Sequence, residues 1–319
     1  VPMATPISPS VDHVRAIAEA AHQTFASNPE GANASYIPYL AQVPSDLFGI
    51  AVAFADGTII EVGDTDYEFA IESLSKVFTL ALVIEQIGPE VLREKVGADP
   101  TGLPFNSVLA LELHDGKPLS PLVNAGAIST ASLVQGRDAE DRWRQILDVQ
   151  SQFAGRPLVL SLEVNQSEQT TNFHNRGIAW ILHSAETIYS DPMAACDIYT
   201  RGCSTLITAR DLAIMGATLA NGGINPLTQT RVVQAANVPY ILAEMAIEGL
   251  YTASGDWLYS VGLPSKSSVS GGIVTVVPGK LAIGAFSPPL DEAGNSVRGQ
   301  LAAAYISQQL GYNVFTPTA

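Results

Sequence analysis

Lysine is scarce in this chain. Lys76, Lys95, Lys117, Lys266 and Lys280 are the five present, among 16 basic and 31 acidic side chains, for a formal net charge of -15. So few cations cannot neutralise a phosphate backbone or an anionic bilayer, which argues against nucleic acid and membrane surfaces as partners. Cysteine is scarcer still, with only Cys196 and Cys203. On one helix, residues seven apart stand roughly 10 Å apart along the axis, too far for a disulfide. Both are therefore expected as free thiols packed in a core, as in a reducing compartment. The five histidines, His13, His22, His114, His174 and His183, have no ligand spacing to one another or to the cysteines. No phosphate loop or dinucleotide fingerprint occurs, so no metal and no cofactor are expected. Long apolar runs are missing as well. The uncharged stretch taken as the candidate for a membrane span, Pro118 to Gly136, is interrupted by Pro118, Ser120, Pro121 and Asn124 and reads as a buried loop and helix. Val1 to Pro6 lack the basic start and apolar stretch of a secretion signal, and the location expected is cytoplasmic.

What is present is apolar. Hydrophobic residues make up 47% of the 319 and charged residues only 15%, enough for a large packed core in one big domain or two smaller ones. Val11 to Phe25 has the apolar period of a surface helix. Gly31 to Pro44 reads as a loop. Phe48 to Phe54 and Thr58 to Gly63 are strand-like runs joined around Asp56-Gly57, a hairpin signal. From Val91 to about Gly249 helical periods dominate, at Arg142 to Phe153, Arg176 to Tyr189, Ala209 to Ala220 and Val238 to Ile247. Strands return at Trp257 to Gly262, Ile273 to Val277 and Lys280 to Phe286, and a helix near Val297 to Leu310 closes the chain. This order predicts an α+β fold, an antiparallel sheet flanked by helices and interrupted by a large helical insertion. Residues 1–90 together with 255–319 would form the sheet part and 91–254 the helical part, with the active site between them.

The chain is organised around Phe69 to Leu80, which contains Ser73-Leu74-Ser75-Lys76 at the mouth of an apolar segment that Gly88-Pro89 ends. If a helix begins near Ser73, residues i and i+3 share a face and the Ser73 hydroxyl meets the Lys76 ammonium. Burial and the positive end of the helix disfavour a charged lysine there, which favours the neutral base that a serine nucleophile needs. Glu72 offers the bland alternative of an ion pair with Lys76. Further polar groups stand in apolar surroundings: Asn124 within Pro121 to Ile128, the run Glu168 to Arg176 directly before a helix, and Tyr199 to Cys203 before another. Tyr251 lies in a loop ahead of the returning strands, and Lys266 to Gly272 is a small-residue run suited to close backbone approach to a ligand.

These runs, with Gly97 to Ser107, Val277-Pro278-Gly279 and Ser287 to Ser296, resemble the bacterial glutaminases, of the serine β-lactamase and penicillin-binding-protein fold group. The likeness spans nearly the whole chain in order. It implies hydrolysis of L-glutamine to L-glutamate and ammonia through a γ-glutamyl ester on Ser73. By the same likeness Lys76 is the base, Tyr251 the proton shuttle, and the backbone N–H groups of Ser73 and Val269 the oxyanion hole. Substrate contacts map onto Tyr36, Asn124, Glu168, Asn175, Tyr199 and Tyr251, and a homodimer or homotetramer is implied. Glu168 suits the substrate ammonium, and the amide and phenol groups its carboxylate. Two departures stand out. Glu72 occupies a position where many members carry Gln and is expected to point away from Lys76 or to be hydrogen-bonded. Ser268 and Ser270 replace two glycines of the family's K-S-G-x-G. The rival readings are another S-x-x-K hydrolase, of β-lactamase or D-Ala-D-Ala peptidase type, whose S-x-N element is not recognisable here, and a non-catalytic amino-acid-binding protein, which would need none of Ser73, Lys76 and Tyr251.

Overall fold

The structure, a computed structural model, describes residues 9–316; the segment read above for a secretion signal lies outside them. Seven strands are present among these residues: β1 (Gly49–Phe54), β2 (Ile59–Gly63), β3 (Phe69–Ala70), β4 (Leu206–Ile207), β5 (Ser265–Ser267), β6 (Gly272–Val277) and β7 (Leu281–Phe286). Five form one antiparallel sheet in the order β2-β1-β7-β6-β5, and β3 pairs with β4 in a separate short ribbon. The hairpin read at Asp56-Gly57 joins β1 to β2, with Gly57 at φ +92° and Thr58 N donating to Asp56 Oδ1. A second tight turn joins β6 to β7 at Pro278-Gly279. The two ends of the chain meet where β1 pairs with β7, Gly49 opposite Phe286 and Ala53 opposite Ala282.

Both faces of the sheet are covered, and the period of two decides which residue meets which layer. Ile50 and Val52 of β1, Ile273 of β6 and Ile283 of β7 pack with Val14, Ala18, Ala302 and Ile306 from helices Val11–Phe25 and Val297–Gln309. Ala51, Ala53, Val274, Val276 and Ala282 face the other way, into the core built on helix Ala209–Ala220. That helix lies very close to the sheet because Gly284 has no side chain: a Cβ there would come within 2.6 Å of the Ala213 backbone N. Its start is fixed by a capping box between Thr208 and Asp211. Beyond it, helices Ser75–Ile87, Asn124–Leu133, Ala139–Ala154 and Pro192–Cys203 continue the same apolar core. No helix among the described residues is long and apolar enough to cross a membrane.

Some elements differ from the sequence reading. Trp257 to Gly262 is not a strand: residues Ser254–Ser260 are helical, and the edge strand is Ser265–Ser267. The run is short and aromatic, a pattern compatible with either structure. Trp257 is 8% exposed and its Nε1 donates to Leu263 O and Ser265 Oγ, whereas Tyr259 faces solvent. Glu168 lies inside helix Leu162–Thr171, and Tyr199 inside Pro192–Cys203, not ahead of a helix. The Arg176 to Tyr189 helix starts earlier and stops earlier, at Phe173–Ser184, because Glu186 takes φ +59°. The Gly31 to Pro44 loop contains one helical turn, Pro38–Ala41.

Candidate active site

Ser73 sits in a single 3-10 turn, Glu72–Leu74, between β3 and helix Ser75–Ile87. The turn is held from both sides. Ile71 N donates to Thr205 O beside the β3–β4 ribbon, and the Phe69 ring stacks on Phe286 of β7 at 4.1 Å between centroids. Gly272 of β6 gives it room, since a Cβ there would come within 3 Å of Leu74 and Phe69. Glu72 adopts φ +47° so that the chain can turn into the helix, a left-handed conformation that costs free energy in a non-glycine residue.

Lys76, one turn on, donates from Nζ to Ser73 Oγ at 2.6 Å. Both side chains are buried, Lys76 at 2% exposure. Burial pushes the Lys76 ammonium down to about 8, against the opposing pull of Cys203, Glu72 and Glu168. Its Nζ also lies 5.3 Å from the centre of the Tyr199 ring, on the ring face. Tyr251 approaches Ser73 from the other side. It occupies the 3-10 turn Tyr251–Ala253 at φ +55°, and its hydroxyl donates to the Ser267 carbonyl at 3.5 Å. Burial raises its phenol, so it stays protonated.

A cavity of about 120 Å³ opens in front of Ser73. Tyr36, Asn124, Glu168, Asn175, Tyr199 and Val269 line it together with Ser73, while Lys76 and Tyr251 stand behind the serine. Tyr36 is exposed at the rim. Asn124, the first residue of helix Asn124–Leu133, donates to Asn175 Oδ1 at 3.0 Å and accepts from the Tyr199 hydroxyl at 3.3 Å. This chain of hydrogen bonds fixes the amide orientations on one wall. Glu168 lies on the opposite chemistry, a buried carboxyl whose pKa burial raises and whose contact with Glu72 and Lys76 lowers.

Val269 stands in the bend between β5 and β6, closed by Ser268 N to Gly272 O at 2.9 Å and Gly271 N to Ser268 O at 3.0 Å. Ser268 and Ser270 both lie outside the positive-φ region, so side chains fit where the family has glycine. Their hydroxyls bond each other at 2.6 Å. Gly271 does need its freedom, at φ +104° with Ser287 O at its Cα.

Three features of the site were not assigned from sequence. Lys266 of β5 is fully buried, donates to Gly249 O and Ser267 O, and lies 4.2 Å from the Tyr251 ring centre. Burial and the charge of Lys76 push its pKa well below the ordinary lysine value. Asn295 accepts from Ser267 Oγ and donates to Leu250 O, tying the Tyr251 turn to β5. Glu72, expected to point away from Lys76 or to be hydrogen-bonded, lines the cavity together with Glu168, and its buried Oε1 has no hydrogen-bond partner. Its place beside Ser73 was a usable signal, whereas Lys266 and Asn295 reach the site only through the sheet. Both cysteines are free and buried, and burial raises both thiols, Cys196 to about 11. That is the state of packing residues, not of thiolate nucleophiles.

A family model described as Glutaminase matches residues 31–315. The chain belongs to the glutaminase family. It is 66% identical over 310 residues to a glutaminase of Brucella canis, covering 97% of this chain and 98% of that one. Against a Shigella flexneri protein named Glutaminase 1 the identity is 64%, over 92% of this chain and 95% of the relative. A solved structure described as a probable glutaminase superposes with a TM-score of 0.96 at 60% identity, covering 97% of this chain and 100% of that one. A protein named Mglu, solved in its glutamate form, superposes at 0.89 with 33% identity over 99% of this chain and 72% of its own. The antiparallel sheet flanked by helices is thus the β-lactamase-like arrangement of these glutaminases.

Proposed function

We propose that this glutaminase-family chain hydrolyses the γ-amide of L-glutamine to L-glutamate and ammonia, with Ser73 as nucleophile. The observation that carries the reading is the 2.6 Å bond from Lys76 Nζ to Ser73 Oγ at the back of the cavity lined by Glu168, Asn124 and Tyr199. In its neutral form Lys76 takes the Ser73 proton as Oγ adds to the γ-carbonyl carbon. The backbone N–H groups of Ser73 and Val269 receive the developing oxyanion. Tyr251 relays the proton to the leaving nitrogen; the C–N bond breaks, ammonia departs and a γ-glutamyl ester remains. Water then adds to the ester, gives up its proton through the same groups, and glutamate leaves as Ser73 regains its hydrogen.

Substrate orientation follows from charge. Glu168 takes the α-ammonium, and Asn124, Asn175, Tyr199 and Tyr36 face the α-carboxylate. The solved relative Mglu in its glutamate form supports an amino-acid-sized occupant. In this reading the site lies between a sheet part, residues 1–90 with 255–319, and a helical part, 91–254. We also take the protein to be a cytoplasmic homodimer or homotetramer. The two free cysteines support the compartment, and light scattering that reads a monomer would remove the assembly.

The decisive assay compares ammonia release from glutamine and asparagine, and cleavage of a chromogenic cephalosporin, between native protein and Ser73→Ala. Glutamine turnover that falls at least about 1,000-fold in the variant is expected. Turnover that persists unchanged ends the serine reading, and cephalosporin cleavage with no ammonia from glutamine favours the β-lactamase alternative.

A further inference from the structure

We infer that Glu72 is a positioning residue which holds a proton and donates it to the Glu168 carboxylate, so that the cavity offers the substrate ammonium one fixed negative charge and leaves Lys76 with no second anion beside it. The inference rests on the reading of Ser73, Lys76 and Glu168 given above.

The geometry carries it. Glu72 is 4% exposed, yet it lines the cavity. Its Oε1 is fully enclosed and meets no protein donor, and its carboxyl faces the cavity that Glu168, from helix Leu162–Thr171, also lines. The left-handed backbone at Glu72 holds the side chain in this position. Lys76, the nearby amine, donates its hydrogen bond to Ser73 Oγ. Two ionised carboxylates in contact in a dry site repel strongly, and a single shared proton relieves both the repulsion and the desolvation. The proton belongs on Glu72, where burial and then the charge of Glu168 raise the pKa well above the carboxylate range. Burial raises that of Glu168 as well, but there Glu72 and Lys76 both pull it back down.

The other groups facing Glu72 do not supply a competing charge. They are Cys203 from helix Pro192–Cys203, Tyr36 and Tyr39 from the loop before β1, and Tyr251, with Lys266 on the neighbouring strand β5. Burial keeps the thiol and the phenols protonated and holds the second lysine's pKa well below its ordinary value. A protonated Glu72, like a primary amide, can donate a hydrogen bond to Glu168 while carrying no charge.

The sign of the pH effect follows. As pH rises, Lys76 loses its proton and kcat/KM climbs; when Glu72 then ionises, two anions face each other, Lys76 is drawn back to ammonium and kcat/KM falls. Glu72→Gln keeps an N–H donor for Glu168 at every pH, and Glu72→Leu removes it. The test is the pH profile of kcat/KM for glutamine in native protein and both variants. Glu72→Gln should move the falling limb at least about one pH unit to the alkaline side, with KM on the acid side within about threefold of native, and Glu72→Leu should raise KM about tenfold at every pH. Coincident falling limbs in native and Glu72→Gln, or a tenfold rise of KM in Glu72→Gln at all pH, overturns the proposal. The second outcome would make Glu72 an ionised partner of the substrate. An infrared difference spectrum of native minus Glu72→Gln reads the proton directly: a protonated-carboxyl stretch is expected, and its absence overturns the proposal whatever the kinetics. Ammonia release by Ser73→Ala, measured alongside, reports on the serine reading alone, because the infrared band does not depend on turnover.

Discussion

A lysine serves as a base only where its surroundings make the ammonium costly. Lys76 meets that condition through burial, which brings it to about 8 while the hydroxyl it serves lies 2.6 Å away. The neutral form is the active one, so kcat on glutamine should rise with pH through that value, and a profile flat from pH 6 to 9 would remove the lysine from the proton path. Lys76→Met, which keeps the volume and loses the amine, should lower kcat by at least about 1,000-fold with an unchanged melting temperature. Tyr251→Phe should lower kcat more than it raises KM, because the role proposed for its buried hydroxyl is to pass a proton to the leaving nitrogen. Steady-state kinetics on purified variants decide both. The S-x-x-K spacing made Ser73 and Lys76 legible, since i and i+3 share a helix face. Lys266 was not legible as a site residue, because its approach to Tyr251 is set by the pairing of β5 with β6.

Elements are placed by what their side chains leave out. Gly284 lets helix Ala209–Ala220 rest on the middle of the sheet, with the Ala213 backbone at its Cα. Gly284→Ala should therefore destabilise the fold by about 1–3 kcal/mol through overpacking, read as a lower denaturant midpoint at constant m-value. A midpoint at or above native would show that the helix can shift without cost. The bend that carries Val269 is tightened in the opposite way, by the Ser268–Ser270 hydroxyl pair. Replacing both with glycine should loosen the oxyanion N–H and lower kcat several-fold with KM nearly constant, and a kcat above native would mean that the serines restrain a loop that works better free. Most helices were legible from apolar period, and Ala209–Ala220 has the limits its pattern predicts. The Trp257 run was not, because one turn of helix and one short strand carry the same few apolar residues, and the hydrogen bonds of the indole decide between them.

At the scale of the whole molecule, buried acids set the dependence of stability on pH. Glu244 and Glu248 lie four apart on helix Val238–Glu248, and burial raises them to about 8 and about 7. The unfolded chain ionises both near pH 4.5 while the folded chain keeps them protonated, so the native state binds more protons between these limits. Their contribution is complete below the unfolded pKa and is lost as pH rises through the folded values. The melting temperature should fall between about pH 5 and 8, and Glu244→Gln should flatten that slope; an unchanged slope in the variant would place the dependence elsewhere. The net charge of -15 adds self-repulsion in the same direction, and salt should reduce that part alone. By itself the sequence determined the elements with a repeating apolar face, the hairpin at Asp56-Gly57, the Ser73–Lys76 juxtaposition and the family, because each is written in local spacing or in runs kept in order. Only the tertiary structure decided that β1 meets β7, that Lys266 stands beside Tyr251, and that Glu72 faces Glu168 across the cavity. Those pairings join residues far apart in the chain, and their energy comes from exclusion of water by layers that no local pattern specifies.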